Sequence, residues 1–167
     1  MSQPEVWLRG PLPDYIDDLQ PVAHSLLQVR EELESAAMLS PQHVWARPGG
    51  AASIGFHLKH LAGSLDRLLT YAAGKPLNAA QQEYLAKEEQ QTNEQAQTLV
   101  LAAQSAIDRA LMHVRTTPLC TLDDVREVGR SRLPSTVLGL LFHAAEHAQR
   151  HSAQIITTAK IIGAFAD

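Results

Sequence analysis

Apolar residues recur at spacings of three and four over four long stretches of the chain, the period of a helix with one buried face. Runs of alternating β-branched residues are absent, so the pattern predicts an all-α chain. The first stretch, "PLPDYIDDLQPVAHSLLQVREELESAAMLSP", predicts a helix with Asp14 as its N-cap, Pro21 breaking or kinking its opening turn and Pro41 marking its exit. The loop "PQHVWARPGGAAS" follows, with Pro48, Gly49 and Gly50 unsuited to a helix interior. A second helix is predicted from near Ser53 to Ala73, ended by Gly74 and Pro76. The third runs from about Asn93 to Val114, behind the charged stretch "QQEYLAKEEQQTN", which is either a short helix or a lead-in. The linker "TTPLCTLDDVREVGRSRLP" closes at Pro134, and the fourth helix runs from Ser135 to about Ile162, ended by Gly163. Four such helices, with no repeat and no low-complexity segment, predict a four-helix bundle in one domain spanning residues 1–167.

The fourth helix interrupts its own apolar pattern. In "LLFHAAEHAQRHSAQII", His143, His147 and His151 fall four residues apart and form one row, continued by Leu140, Gln154 and Thr158. A buried imidazole nitrogen left bare costs about 1–3 kcal/mol, so three in a row call for hydrogen bonds or a cation. Histidines at i and i+4 can chelate one ion from a single helix, and the spacing alone does not choose between the two pairs in the row. The second helix offers a further ligand in "HLKH". His60 shares a face with Ser53, Ser64, Arg67 and Tyr71, whereas His57 lies about 60° round, nearer the leucine face of Leu58, Leu61, Leu65 and Leu68. Three neutral imidazoles with open positions for water would form a catalytic type of site. The plainer alternative is a hydrogen-bonded core.

Other chemistries fit less well. "HAAEH" has the H-x-x-E-H form of an inverted zinc-peptidase motif, but the acidic ligand that motif needs downstream could come only from Asp167. No Glu is followed by His three residues later, which excludes the paired Glu-x-x-His of di-iron bundles. Haem-attachment, phosphate-loop and calcium-loop spacings are absent. Arg67 and Arg150 flank the histidines at helical spacing and could hold an anionic cosubstrate, although solvation or ion pairing is the simpler reading. Glu146, about 100° round the helix from His147, suits a salt bridge or a supporting contact better than a base.

Composition narrows the partners. With 14 Lys+Arg against 18 Asp+Glu the net charge is −4, which argues against nucleic-acid binding. No apolar run approaches the roughly 20 residues of a membrane span, and the N-terminal stretch does not read as a signal peptide. Cys120 is the only cysteine, so no internal disulfide forms and it reads as inert; cytoplasmic residence is the expectation. On the fourth helix Leu138, Phe142, Ala145 and Ile156 lie opposite or nearly opposite the histidine row. A peripheral helix apolar on both sides predicts a homodimer contact.

Taken together, "FHLKHLAGSLDRLL", with His60, and "EHAQRHSAQI", with Glu146, His147, His151, Gln154 and Ile155, resemble the DinB-like metal-binding superfamily (the damage-inducible DinB and YfiT-like proteins). The resemblance covers most of the chain. It implies an up-down-down-up bundle, often dimeric, holding a divalent metal through His60, His147 and His151. Nickel or zinc is the first expectation, with iron or manganese as alternatives. Characterised members include thiol-dependent S-transferases and a mycothiol-dependent isomerase. The resemblance therefore implies a metal-dependent thiol S-transferase or hydrolase with a small thiol cosubstrate; the other reading is a non-catalytic metal-binding or interaction module. Many members have no known reaction, so the resemblance assigns no catalytic residue and no substrate. His57 and His143 are extra to its core motif, and either would suit a group that fixes a ligand's ring.

Overall fold

The computed structural model describes residues 3–163; Asp167 lies outside them. Its helices are α1 (Gln20–Glu32), α2 (Pro41–Val44), α3 (Ile54–Ala72), α4 (Ala79–Lys87), α5 (Ala96–Thr116) and α6 (Val137–Ile161). Four of them build the bundle. Ser25 and Glu32 of α1 meet Gln149 and Ser152 of α6 in the same order, so these two helices run parallel. Tyr15, ahead of α1, and Arg30 within it meet Leu111 and Asp108 of α5 in reverse order, and His57 and His60 of α3 meet His151 and His147 of α6 likewise. The result is the all-α four-helix bundle that the helical period predicts, in the up-down-down-up order that the family resemblance implies.

α3 packs against both α5 and α6 and carries the centre of the core. Its Leu58, Leu61 and Leu65 are fully buried, as are Leu26 and Val29 of α1, Ile107 of α5 and Leu141 and Ile155 of α6. Each such side chain contributes roughly 1.5–3 kcal/mol through burial. Leu68, the last of the leucine face, is half-buried.

The element ends differ from expectation in physically simple ways. Asp14 is not an N-cap: its φ is 67°, it pairs with Arg115, and α1 starts six residues later behind a 3-10 turn. Pro21 causes no break, because it sits within the first turn, where no backbone donor is needed. Pro41 does not close α1 but opens α2, after a 3-10 turn over Leu33–Ala36. The charged stretch is helical only in its first half, as part of α4, which ends at Lys87 and opens on a reciprocal capping box of Asn78 and Gln81. Ser53 caps α3 by accepting from Phe56 N at 3.1 Å.

The linker before α6 folds rather than running irregular. Strands β1 (Val125–Val128) and β2 (Leu133–Thr136) pair antiparallel, with Glu127 opposite Pro134. Each is four residues long, too short for an alternating pattern to register. In a two-stranded sheet every strand is an edge, so Pro134 costs no ladder bond that an inner strand would need. α6 starts at Val137 because the Thr136 side chain accepts from Gly139 N at 3.0 Å.

Candidate metal centre

The geometry starts from the drift of a helical row. Residues four apart advance about 40° each, so His143 and His151 are about 80° apart round α6. The core side takes Leu140, Ala144, His151, Ile155 and Thr158, all buried; His147 sits at the rim, and His143 is exposed. The row is therefore not one core-facing stripe, and its first member leaves the bundle.

Three rings converge. His147 Nε2 lies 3.0 Å from His60 Nε2 and 3.2 Å from His151 Nε2. His60, His147 and His151 form the described group of histidine and acidic residues whose donor atoms all lie within 4.8 Å of one another. His143 stands beside it, its ring 5.4 Å from that of His147 and its Nδ1 3.6 Å from a Glu146 carboxylate oxygen.

Two of the rings are held from behind. His60 Nδ1 lies 2.8 Å from Glu88 Oε2, and a carboxylate can only accept, so Nδ1 carries the proton and Nε2 presents its lone pair. Glu88 is 2% exposed, and its second oxygen accepts from Arg67 Nη1 at 2.5 Å. His151 Nδ1 meets His57 Nδ1 at 2.8 Å, so His57, 4% exposed, holds the ring of His151 as Glu88 holds that of His60. Phe56 stacks on His60 with ring centroids 5.3 Å apart and closes the site on that side. His147 Nδ1 has no hydrogen-bond partner among the described residues.

A cation fits this donor set better than protons do. With the Nε2 lone pair of His60 on one side of His147 Nε2 and His151 Nε2 on the other, neither tautomer of His151 lets His147 Nε2 satisfy both neighbours: an N–H serves His60 but not also His151, and a lone pair leaves His60 unserved. Protonation is opposed: burial first, and then the neighbouring imidazoles, push His57 and His147 down to about 4 and His151 down to about 3. Divalent zinc binds imidazole nitrogen at about 2.0–2.1 Å, which puts donors at tetrahedral angles about 3.3–3.4 Å apart. The observed separations of 3.0 and 3.2 Å are shorter than that by a few tenths of an ångström, so a small outward shift of the rings would admit the ion. Three neutral donors would leave the full charge of a divalent ion available and further positions open.

Lowered histidine pKa values fix a sign for stability. Below the unfolded value of 6.5 the unfolded chain takes up protons that the metal-free folded chain refuses, so folding stability falls as pH drops from about 6.5 towards 4. The urea midpoint of metal-free protein is expected to be lower at pH 5 than at pH 7.5. Replacing His57, His147 and His151 by glutamine is expected to flatten that slope, and an equally steep slope in the variant would count against the burial argument.

The sequence missed Glu88. It sits just past α4, where Lys59 Nζ donates to Lys87 O at 2.8 Å and to Gln90 O at 2.7 Å, clamping the chain on both sides of the carboxylate. Gly63 makes room: a Cβ there would stand 2.3 Å from Glu88 Oε1 and 2.7 Å from the Tyr84 ring. Arg67 thus has an ion-paired role beside His60, while Arg150 pairs with Glu146 on the outer face of α6, with Nε 3.0 Å from Oε1. Cys120 is exposed and remote from this cluster in sequence.

Residues 17–155 match the profile of the DinB superfamily. The chain belongs to the DinB superfamily. The match takes in α1, α3 and α5, α6 as far as Ile155, and every residue of the converging cluster. No curated protein matches this DinB-superfamily chain. It is a DinB-like bundle whose His60, His147 and His151 could hold a metal ion, and none of its described helices is long and apolar enough to cross a membrane.

Proposed function

We propose that this protein is a divalent-metal-dependent enzyme of the thiol S-transferase or hydrolase type, with His60, His147 and His151 as the ligands. The observation that carries the reading is the convergence of three Nε2 atoms, two of them on rings held from behind by Glu88 and His57. Nickel or zinc suits an all-imidazole set, with iron or manganese next. Such an ion lowers the pKa of bound water towards about 7 and deprotonates a coordinated thiol. The chain's own part is to orient the rings, through Glu88 and His57, and to exclude water, through Phe56. One observation favours a non-catalytic metal-binding module instead: the carboxylates nearest the rings, Glu88 and Glu146, are both engaged by arginine.

Elemental analysis of untagged protein, followed by thiol-transfer assays on zinc- or nickel-loaded protein, separates these readings. Turnover abolished by a chelator and restored by metal supports the enzyme. Bound metal without turnover moves the assignment to the binding module, and protein that takes up no metal removes both.

The same reading places the protein in the cytoplasm as a homodimer. Phe142 is 62% exposed near the start of α6, with half-buried Leu138 one turn before it, while Ala145 is already buried within the protomer. Phe142→Glu is expected to convert dimer to monomer in light scattering, and an unchanged mass would place the contact elsewhere.

A further inference from the structure

A cavity of about 520 Å³ lies between α1, α6 and an N-terminal 3-10 turn (Val6–Arg9), on the side of α6 away from the metal centre. Its wall on α6 is Gln149, which falls between His147 and His151 in the chain but about 160° round the helix from each. The volume is within the range of about 300–1,000 Å³ typical of small-molecule sites.

The lining has more acceptors than donors to meet them. Four donor nitrogens stand in the wall, and each already has a protein acceptor. Trp7 Nε1 donates to Glu5 Oε2 at 2.7 Å and Gln28 Nε2 to Glu32 Oε1 at 3.1 Å. Gln149 Nε2 donates to Ser25 O at 3.2 Å and His24 Nε2 to Gly10 O at 3.0 Å. An ionised carboxylate has about four acceptor positions. Among the described residues Glu5 fills one of them and Glu32 fills two, the second through Ser152 Oγ at 2.7 Å.

Neither carboxylate has a cation among the described residues. The arginines nearest them in sequence are committed elsewhere: Arg9 donates from both terminal nitrogens to Glu31, at 2.7 and 2.8 Å, and Arg30 pairs with Asp108. Glu32 is nevertheless held in place. Ser152 is fully buried, and Gln28 is itself anchored by accepting from Val6 N at 2.9 Å. Such a wall suits a ligand that brings N–H donors and positive charge at two points. The indole of Trp7, fixed by its bond to Glu5, adds an aromatic surface that attracts cations and can cover an alkyl chain.

We propose that this cavity binds a small aliphatic diamine as its dication, with one ammonium group on Glu32, the other on Glu5 and the alkyl chain against Trp7. The binding is independent of the metal centre and of the function proposed for it.

Isothermal titration calorimetry of untagged, metal-free protein with 1,4-diaminobutane, butylamine and 1,4-butanediol tests the ligand class. The diamine is expected to bind saturably and butylamine about tenfold more weakly or worse, while the diol, which keeps the length and lacks the charges, does not bind. Glu5→Gln is expected to bring the diamine down to the level of butylamine, and Glu32→Gln to weaken both amines by about tenfold or more. Glu5 is exposed, so its variant keeps the fold and remains a test even if Glu32→Gln does not fold. No saturable binding of the diamine, equal affinities for the diamine and either other probe, or unchanged diamine affinity in Glu5→Gln overturns the assignment. Diamine binding that appears only after zinc loading places the amine on the metal and overturns it too. The same diamine affinity with and without zinc, or in protein that takes up no zinc at all, supports the cavity whatever becomes of the metal-dependent reading.

Discussion

His147→Ala is expected to reduce bound divalent metal from about one ion per chain to a trace, with affinity lowered by more than about 100-fold, since even the loss of a hydrogen-bond partner behind a ligand costs 10–100-fold. His147 is the ring that both others approach, at 3.0 and 3.2 Å, so its removal leaves His60 and His151 without a common neighbour. The fold is expected to survive. His147 stands at the rim of the bundle, and its Nδ1 makes no bond among the described residues that its loss would break. His143→Ala is the control on the same row: its ring is exposed and lies outside the converging set, so metal content should match wild type. Competition with a chromogenic chelator reads both. Equal retention in the two variants would mean that the imidazoles are hydrogen-bonded core groups and not ligands.

That contrast between neighbours on one row shows what a sequence can carry. Helix period places His143, His147 and His151 in one row and His60 on another core helix, the resemblance chooses His60, His147 and His151 among them, and the four bundle helices are delimited by their apolar faces and their Gly and Pro ends. The period alone does not say where the core side ends. The 40° advance per step that makes the row also turns His143 into solvent and His151 inward. The bond from His57 to His151 was open to sequence only as a generic supporting role, because its partner is 94 residues away. The hairpin before α6 escaped because strands of four residues carry no period. Glu88 escaped for a different reason. "KEEQ" at 87–90 reads as a solvated charge run, and Glu89 in it is exposed. Only the Lys59 clamp and the space above Gly63 distinguish Glu88 from its neighbour. The one sequence signal was the glycine itself, isolated at mid-helix in an apolar stretch, where close approach of another segment is the usual cause.

Glu88→Gln is expected to weaken metal binding by about 10–100-fold without removing any ligand. The carboxylate does two things: it fixes the proton of His60 on Nδ1, which presents the Nε2 lone pair to the cluster, and it neutralises Arg67, whose side chain is only 10% exposed. An amide keeps the shape but gives up the charge, so His60 becomes a poorer donor and Arg67 a buried, unpaired cation. Breaking a buried pair from one side costs about 3–5 kcal/mol, and a lower thermal midpoint should accompany the loss of affinity. The two effects separate in the double variant Arg67→Met, Glu88→Gln, which is expected to recover stability but not affinity. Recovery of both would reduce Glu88 to a counter-ion for Arg67. Gly63→Ala tests the same contact with every charge in place. Alanine is intrinsically the better helix former by about 0.5–1 kcal/mol, yet its Cβ would fall 2.3 Å from Glu88 Oε1. The glutamate must then withdraw from His60, so affinity should fall while α3 stays helical by circular dichroism. Unchanged affinity in Gly63→Ala would show that Glu88 reaches His60 by more than one path and that α4 does not set the donor strength of the site.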